Sequence, residues 1–181
     1  MIKIIDFILK VFAGINCLFL KVIFSKKLDI SLPSISFAYW PFRLYLASKT
    51  VIGKRAIIAQ HCEIISKGII IIGDNFCINK YSRIVAHEKI IIGRHVTIAQ
   101  FVSILDHDHA YLLEDGQLIL NGYKTAPIEI GDNVWIGDKV TICKGAKIGS
   151  NVIIGANSVV TNDIEDNCIA AGVPCKKIKS I

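Results

Sequence analysis

From residue 130 onward an aliphatic side chain returns at every sixth position: Ile130, Ile136, Ile142, Ile148, Ile154 and Val160. Four places after each stands a small or β-branched residue: Val134, Val140, Ala146, Val152, Ser158 and Ile164. An α-helix repeats near 3.6 residues and a lone strand at 2, so a period of six belongs to neither. It fits a short strand and a tight turn, with the aliphatic residue inside and the Gly or Asn of "IGDNVW" and "IGSNVI" shaping the corner. Three such units close a triangular coil of about 18 residues. Stacked coils pair strand to strand and bury ladders of like aliphatics, which makes the expected fold all-β.

The preceding stretch carries the same pattern with an addition. Ile52, Ile58 and Ile64 are followed by Ile72, Ile78 and Ile84, then by Ile92, Ile98 and Ile104. Each set starts 20 residues after the last, so each coil carries two extra residues, in "IISKGIII" and "IVAHEKIII". Ile104 to Ile130 spans 26 residues, one hexad plus 20 more. The rhythm therefore breaks at about 105–127, a long loop thrown out of one corner, which opens on "DHDH" and holds the turn signal "EDG". A rigid prism with one excursion is a scaffold displaying a site. About five coils are expected over residues 51–181, as one repeat domain.

Residues 1–50 differ in kind. They hold 7 of the 21 Lys+Arg but only 2 of the 15 Asp+Glu, whereas the repeats are nearly neutral. A nucleic-acid binder spreads basic charge over its main fold, so that class is not expected. Within the first 25 residues the longest uncharged run, Val11 to Leu20, has ten residues, half of what a membrane span needs. On a helical wheel Lys3, Asp6, Lys10 and Lys21 share one stripe in an apolar surround. Such a segment suits a bilayer interface with anionic lipids, or packing within an oligomer; both stay open. No small-residue cleavage site follows it. The six cysteines, Cys17, Cys62, Cys77, Cys143, Cys168 and Cys175, form no C-x-x-C pair and several sit among aliphatics. They are expected to be reduced core fillers of a cytoplasmic protein.

The stretch "PIEIGDNVWIGDKVTICKGAKIGSNVIIGANSVVTNDIEDNCIAAGVPCKKI", with the histidine loop before it, resembles the hexapeptide-repeat acyltransferases, and most closely their sugar and polysaccharide O-acetyltransferase branch. The resemblance implies a left-handed parallel β-helix with a short C-terminal helix, to which residues 1–50, outside the resemblance, add the N-terminal helical segment read above. It also implies a homotrimer that holds acetyl-CoA, as acyl donor, between neighbouring prisms. The implied catalytic histidine is His107, and the acceptor is a sugar or saccharide hydroxyl, with Asn79 beside it. Trp135 is implied near the acyl-CoA channel, Ala156 and Thr161 on the pantetheine arm, and Lys176 and Lys179 at the CoA phosphates. Two departures stand out: Asn162 of "VTND" replaces a lysine common in relatives, and an apolar N-terminus replaces a polar one.

A hydroxyl attacks a thioester poorly at neutral pH, and an imidazole titrating near 6.5 is suited to remove its proton. Direct transfer is then expected, with His107 as the base and Asp106 or Asp108 fixing its tautomer. His109 is the competing base, and on an extended strand it points the same way as His107. Nothing in the spacing completes a metal shell, so no metal is expected. His61, His87 and His95 read as surface residues of ordinary corners. A turn is expected at Pro174, and Trp135, next to the inward Val134, should face outward. Two alternatives remain: an N-acetyltransferase acting on an amino sugar, and a non-catalytic assembly module. The expected location is the cytoplasm, at the inner face of the cell membrane if the N-terminus meets lipid and not a neighbouring subunit.

Overall fold

The structure is a computed structural model that describes residues 11–12, 14–15, 18–20, 22–23, 26–30, 37–38 and 42–181. Three parallel sheets form the faces of a triangular prism. The first runs through Leu28–Ile30, Thr50–Ile52, Ile69–Ile72, Lys89–Ile92, Ile128–Ile130 and Lys147–Ile148. The second runs through Phe37–Ala38, Ile57–Ile58, Cys77–Ile78, Thr97–Ile98, Val134–Ile136, Val152–Ile154 and Cys168–Ala171. The third holds Arg43–Leu46, Glu63–Ser66, Arg83–Ala86, Ser103–Leu105, Thr141–Ile142 and Val159–Val160. The chain visits the faces in turn, which gives six coils and the start of a seventh at the Ile148–Ile164 bridge.

Five coils were expected. The excess lies at the N-terminus, where the solenoid begins at Leu28 and not at residue 51. Leu28, Phe42 and Leu46 are buried in its core, but the six-residue beat counted back from Leu46 falls on Trp40 and Ser34, so no run of aliphatics marks this coil. Within 11–23 the described residues are helical, and Val11, Phe12, Ile15, Leu18, Phe19, Val22 and Ile23 are exposed. No described helix is long and apolar enough to cross a membrane. The stripe of Lys3, Asp6, Lys10 and Lys21, and Cys17, lie outside the described residues.

Both members of each hexad point inward. Ile98, Ile104, Ile136, Ile142, Val140 and Val152 all have no exposed surface. Each ladder places like side chains in register across parallel strands, such as Ile78, Ile98 and Ile136. The corners are made differently from expectation. The corner residues in the left-handed region include Asn75, Asn133, Asn151, Asn157 and Asn167, but also Arg55, His61, Tyr81, His95, Phe101 and Lys139. The glycines that follow inward isoleucines such as Ile52, Ile72 and Ile92 serve closeness of approach: a Cβ on Gly73 would lie 2.7 Å from the Gly93 carbonyl carbon in the next coil. Coils stacked this tightly leave no room there for a side chain.

The short C-terminal helix is absent. Lys176–Ser180 is a strand, antiparallel to Cys168–Ala171 and closing the last edge of the second sheet. Residues 172–175 form the expected turn around Pro174, with Gly172 at φ 106 and Cys175 buried beneath it. A turn so tight returns the chain beside the strand it left, where open sheet N–H and C=O groups offer bonds. Five residues are too few to gain as much from a helix.

Candidate functional site

The 20-residue excursion leaves the prism at the edge between the third and first sheets. It is a regular hairpin, with strands His107–Glu114 and Gln117–Thr125. Asp115 and Gly116 join them, both with positive φ (49 and 75), as a two-residue hairpin turn requires. The base is closed by Ala126 N–H donating to Asp106 O at 3.0 Å. The strands are almost wholly exposed, so the hairpin stands away from the wall.

Asp106 is the hinge of this corner. It is fully buried, and its carboxylate accepts three backbone N–H groups from the coil beneath: His87 at 2.7 Å, Glu88 at 2.8 Å and Lys89 at 2.8 Å. The same Oδ1 lies 3.2 Å from His107 Nδ1. Since an ionised carboxylate only accepts, Nδ1 carries the hydrogen of a neutral His107 and Nε2 holds its lone pair. The His107 side chain keeps 14 % of its surface exposed. Of the two aspartates considered as its partner, Asp106 has the contact. Asp108 is turned aside to Lys144 Nζ at 2.7 Å.

The corner directly beneath belongs to His87, 20 residues earlier and therefore one coil down. Its ring lies flat on that of His107, with centroids 3.7 Å apart and planes within 5°. Tyr123, from the returning strand, stands edge-on to both rings, at 4.3 Å and 5.4 Å. His109 also meets Tyr123, at 4.8 Å, so the two loop histidines do share a face, but His109 is exposed. Burial first, then His107 and Lys67, hold the His87 imidazole below its ordinary 6.5. His87 was expected to be a plain surface residue; the 20-residue coil period was the signal that it lies under His107. Nothing in the sequence marked Tyr123.

Of the remaining site candidates, Thr161 shares the His107 edge two coils further on, and the others lie on other parts of the prism. Trp135 faces outward from the second sheet, 55 % exposed, beside an open groove of about 410 Å³ also lined by Thr97 and Ile153. Register carries its row across Ile153 and Ile169 to Lys179. Lys176 lies on the same C-terminal strand, while Lys177 pairs with Glu165. Ala156 stands at the edge between the second and third sheets, and Thr161 just after Val159–Val160. Asn79 follows Cys77–Ile78 at the edge between the second and third sheets, and its amide donates to Ile98 O at 2.9 Å. Within one chain, then, Asp106 and His107 come together, whereas Asn79 and Trp135 do not join them. The second sheet is the face opposite the His107 edge.

The thiols behave as filler. Cys62, Cys168 and Cys175 are buried, Cys77 and Cys143 partly so. Burial pushes the Cys62 thiol up to about 11 and raises the other four as well.

The family description "Bacterial transferase hexapeptide (six repeats)" matches residues 127–162. A solved maltose O-acetyltransferase from Clostridium difficile 630 is 31 % identical, with TM-score 0.62, over 89 % of this chain and 74 % of that one. A galactoside acetyltransferase solved in complex with coenzyme A is 29 % identical, with TM-score 0.57, over 86 % of this chain and 64 % of that one. WbbJ of Escherichia coli K12, named for O-acetyl transfer in lipopolysaccharide biosynthesis, is 36 % identical over 120 residues, 62 % of this chain and 61 % of that protein. The chain spans 27 % to 61 % of the length of the first curated relatives it matches. Repeat, prism, hairpin and these likenesses agree: the chain belongs to the hexapeptide-repeat acyltransferases, the left-handed parallel β-helix family, among its sugar O-acetyltransferase relatives.

Proposed function

We propose that the protein transfers acetyl from acetyl-CoA to a hydroxyl of a sugar, in a surface polysaccharide or its precursor. The observation that carries this reading is the buried Asp106 carboxylate against His107 Nδ1, which leaves Nε2 as the free base of the site. In a ternary complex Nε2 accepts the acceptor's proton as its oxygen attacks the thioester carbonyl. Backbone N–H groups stabilise the resulting oxyanion. Collapse releases the CoA thiolate, which takes the proton back from His107. No acyl-enzyme forms, and the sum is acceptor O–H plus acetyl-CoA to acetyl ester plus CoA thiol.

The CoA half of the reading rests on the second sheet. Trp135, Ala156, Lys176 and Lys179 serve the donor there, the lysines as cations for its phosphates, Thr161 serves it from the His107 edge, and Asn79 serves the acceptor. Because that sheet lies opposite the His107 edge of the same prism, a complete site takes the His107 edge from one protomer and the donor face from its neighbour. A homotrimer meets this need. The exposed apolar residues between 11 and 23, followed by Lys26 and Lys27, support contact with an anionic membrane at its cytoplasmic face.

The test is thiol release from acetyl-CoA with a panel of neutral sugars, amino sugars and lipid-linked saccharides, with the product characterised by mass and by hydroxylamine lability. A hydroxylamine-labile acetyl ester supports the reading. A stable amide moves it to N-acetylation, and no turnover with a folded, CoA-binding protein favours an assembly module.

A further inference from the structure

His107 has one hydrogen-bonded nitrogen, and a single bond at Nδ1 leaves an imidazole free to swing about its side-chain torsions. Two other rings remove that freedom. His87 covers one face at 3.7 Å, nearly parallel, and Tyr123 stands edge-on beside it at 5.4 Å. His87 is itself tied to the same carboxylate, through its backbone N–H to Asp106 Oδ1 at 2.7 Å. One buried oxygen therefore aligns two successive coils and the ring of each.

We propose that His87 is a positioning residue for this site, whose flat ring holds the His107 imidazole in the plane that keeps Nδ1 on Asp106 and Nε2 toward the acceptor. The inference rests on His107 being the base, and His87 itself touches neither substrate. The stack serves this purpose with both rings neutral, since two imidazolium ions at this separation would repel. Besides the edge-on Tyr123, the titratable and charged groups around His87 are His107, Lys67, Asp106 and His109. Three of the four disfavour its cation, as does its burial. A positioning ring that stays uncharged when the base must be neutral is thereby built into the coil.

The experiment compares His87→Ala, His87→Gln and His87→Phe with His107→Ala in the full-length protein. His87→Ala and His87→Gln remove the flat ring and should lower kcat about 10- to 100-fold, with KM for acetyl-CoA within about twofold. His87→Phe restores a flat neutral ring and should hold kcat within about threefold of wild type. Independently of activity, the His107 ring-proton resonance feels the stacked ring; it should move in His87→Ala and His87→Gln and much less in His87→Phe. Should His87→Ala fail to fold, the Gln and Phe pair decides alone. Wild-type kcat and an unmoved His107 resonance in His87→Gln would overturn the inference while leaving His107 as base. An active His107→Ala protein would instead sink the base itself, and the inference with it.

Discussion

Asp106→Asn is nearly isosteric and isolates what the carboxylate does. In the native corner four donors converge on two oxygens: the N–H groups of His87, Glu88 and Lys89, and His107 Nδ1. Asparagine offers one oxygen and one NH2, so whichever way it turns, two donors face a donor. Each orphaned buried donor costs about 1–3 kcal/mol, giving about 2–6 kcal/mol for the pair. For a chain of this length that corresponds to a fall in Tm of about 4 to 24 °C. Loss of the Nδ1 acceptor also frees the wrong tautomer, so kcat should fall about 10²- to 10⁴-fold, the range of a lost general base. Thermal unfolding by circular dichroism, with kcat at a temperature where the variant is folded, reads both. His107→Gln is the control: it should lose kcat while keeping most of the stability, because Asp106 retains its three backbone donors. Wild-type Tm and kcat in Asp106→Asn would refute the reasoning, for the carboxylate would then neither tie the coils nor orient the base.

Other perturbations probe the prism and its corners. Ile136→Ala empties a fully buried rung and should cost about 2–5 kcal/mol in urea unfolding. Gly73→Ala places a methyl 2.7 Å from the backbone of the next coil and should cost about 1–3 kcal/mol, although it changes no polar contact. With its folded pKa held below 6.5, His87 makes the unfolded chain bind the extra proton as pH falls. Stability that is present above about pH 6.5 should therefore decline below it, and the urea midpoint of His87→Phe should change less than wild type between about pH 7.5 and 5.5. With its thiol at about 11, Cys62 should react with a thiol reagent at neutral pH far more slowly in folded than in unfolded protein.

The prism was legible because its signal repeats. A ladder residue such as Ile142 is confirmed by Ile136 before it and Ile148 after it, and burial of an aliphatic side chain is the same physical event at each. Outward Trp135 followed from the alternation of strand side chains, and the hairpin turn from "EDG". The first coil was hidden because the beat counted back from Leu46 falls on Trp40 and Ser34, and Phe42 fills the core off that count. The C-terminal strand was mistaken because "KKIKS" favours no strongly regular state alone; its partner Cys168–Ala171 decides. At the site, Asp106 and His107 were legible as types, but the choice of Asp106 over Asp108 depends on which carboxylate faces inward. His87 was readable from the coil period once 87 and 107 are set in one column, whereas Tyr123 depends on how the hairpin strands register.

The central claim is that His107, held by Asp106, takes the acceptor's proton. The most direct test measures acetyl-CoA affinity by calorimetry and turnover by thiol release in His107→Ala and His109→Ala proteins, each against wild type. His107→Ala should bind acetyl-CoA normally and lose about 10²-fold or more in kcat, while His109→Ala should stay within a few-fold of wild type. Full turnover in His107→Ala, or loss confined to His109→Ala, would contradict that claim.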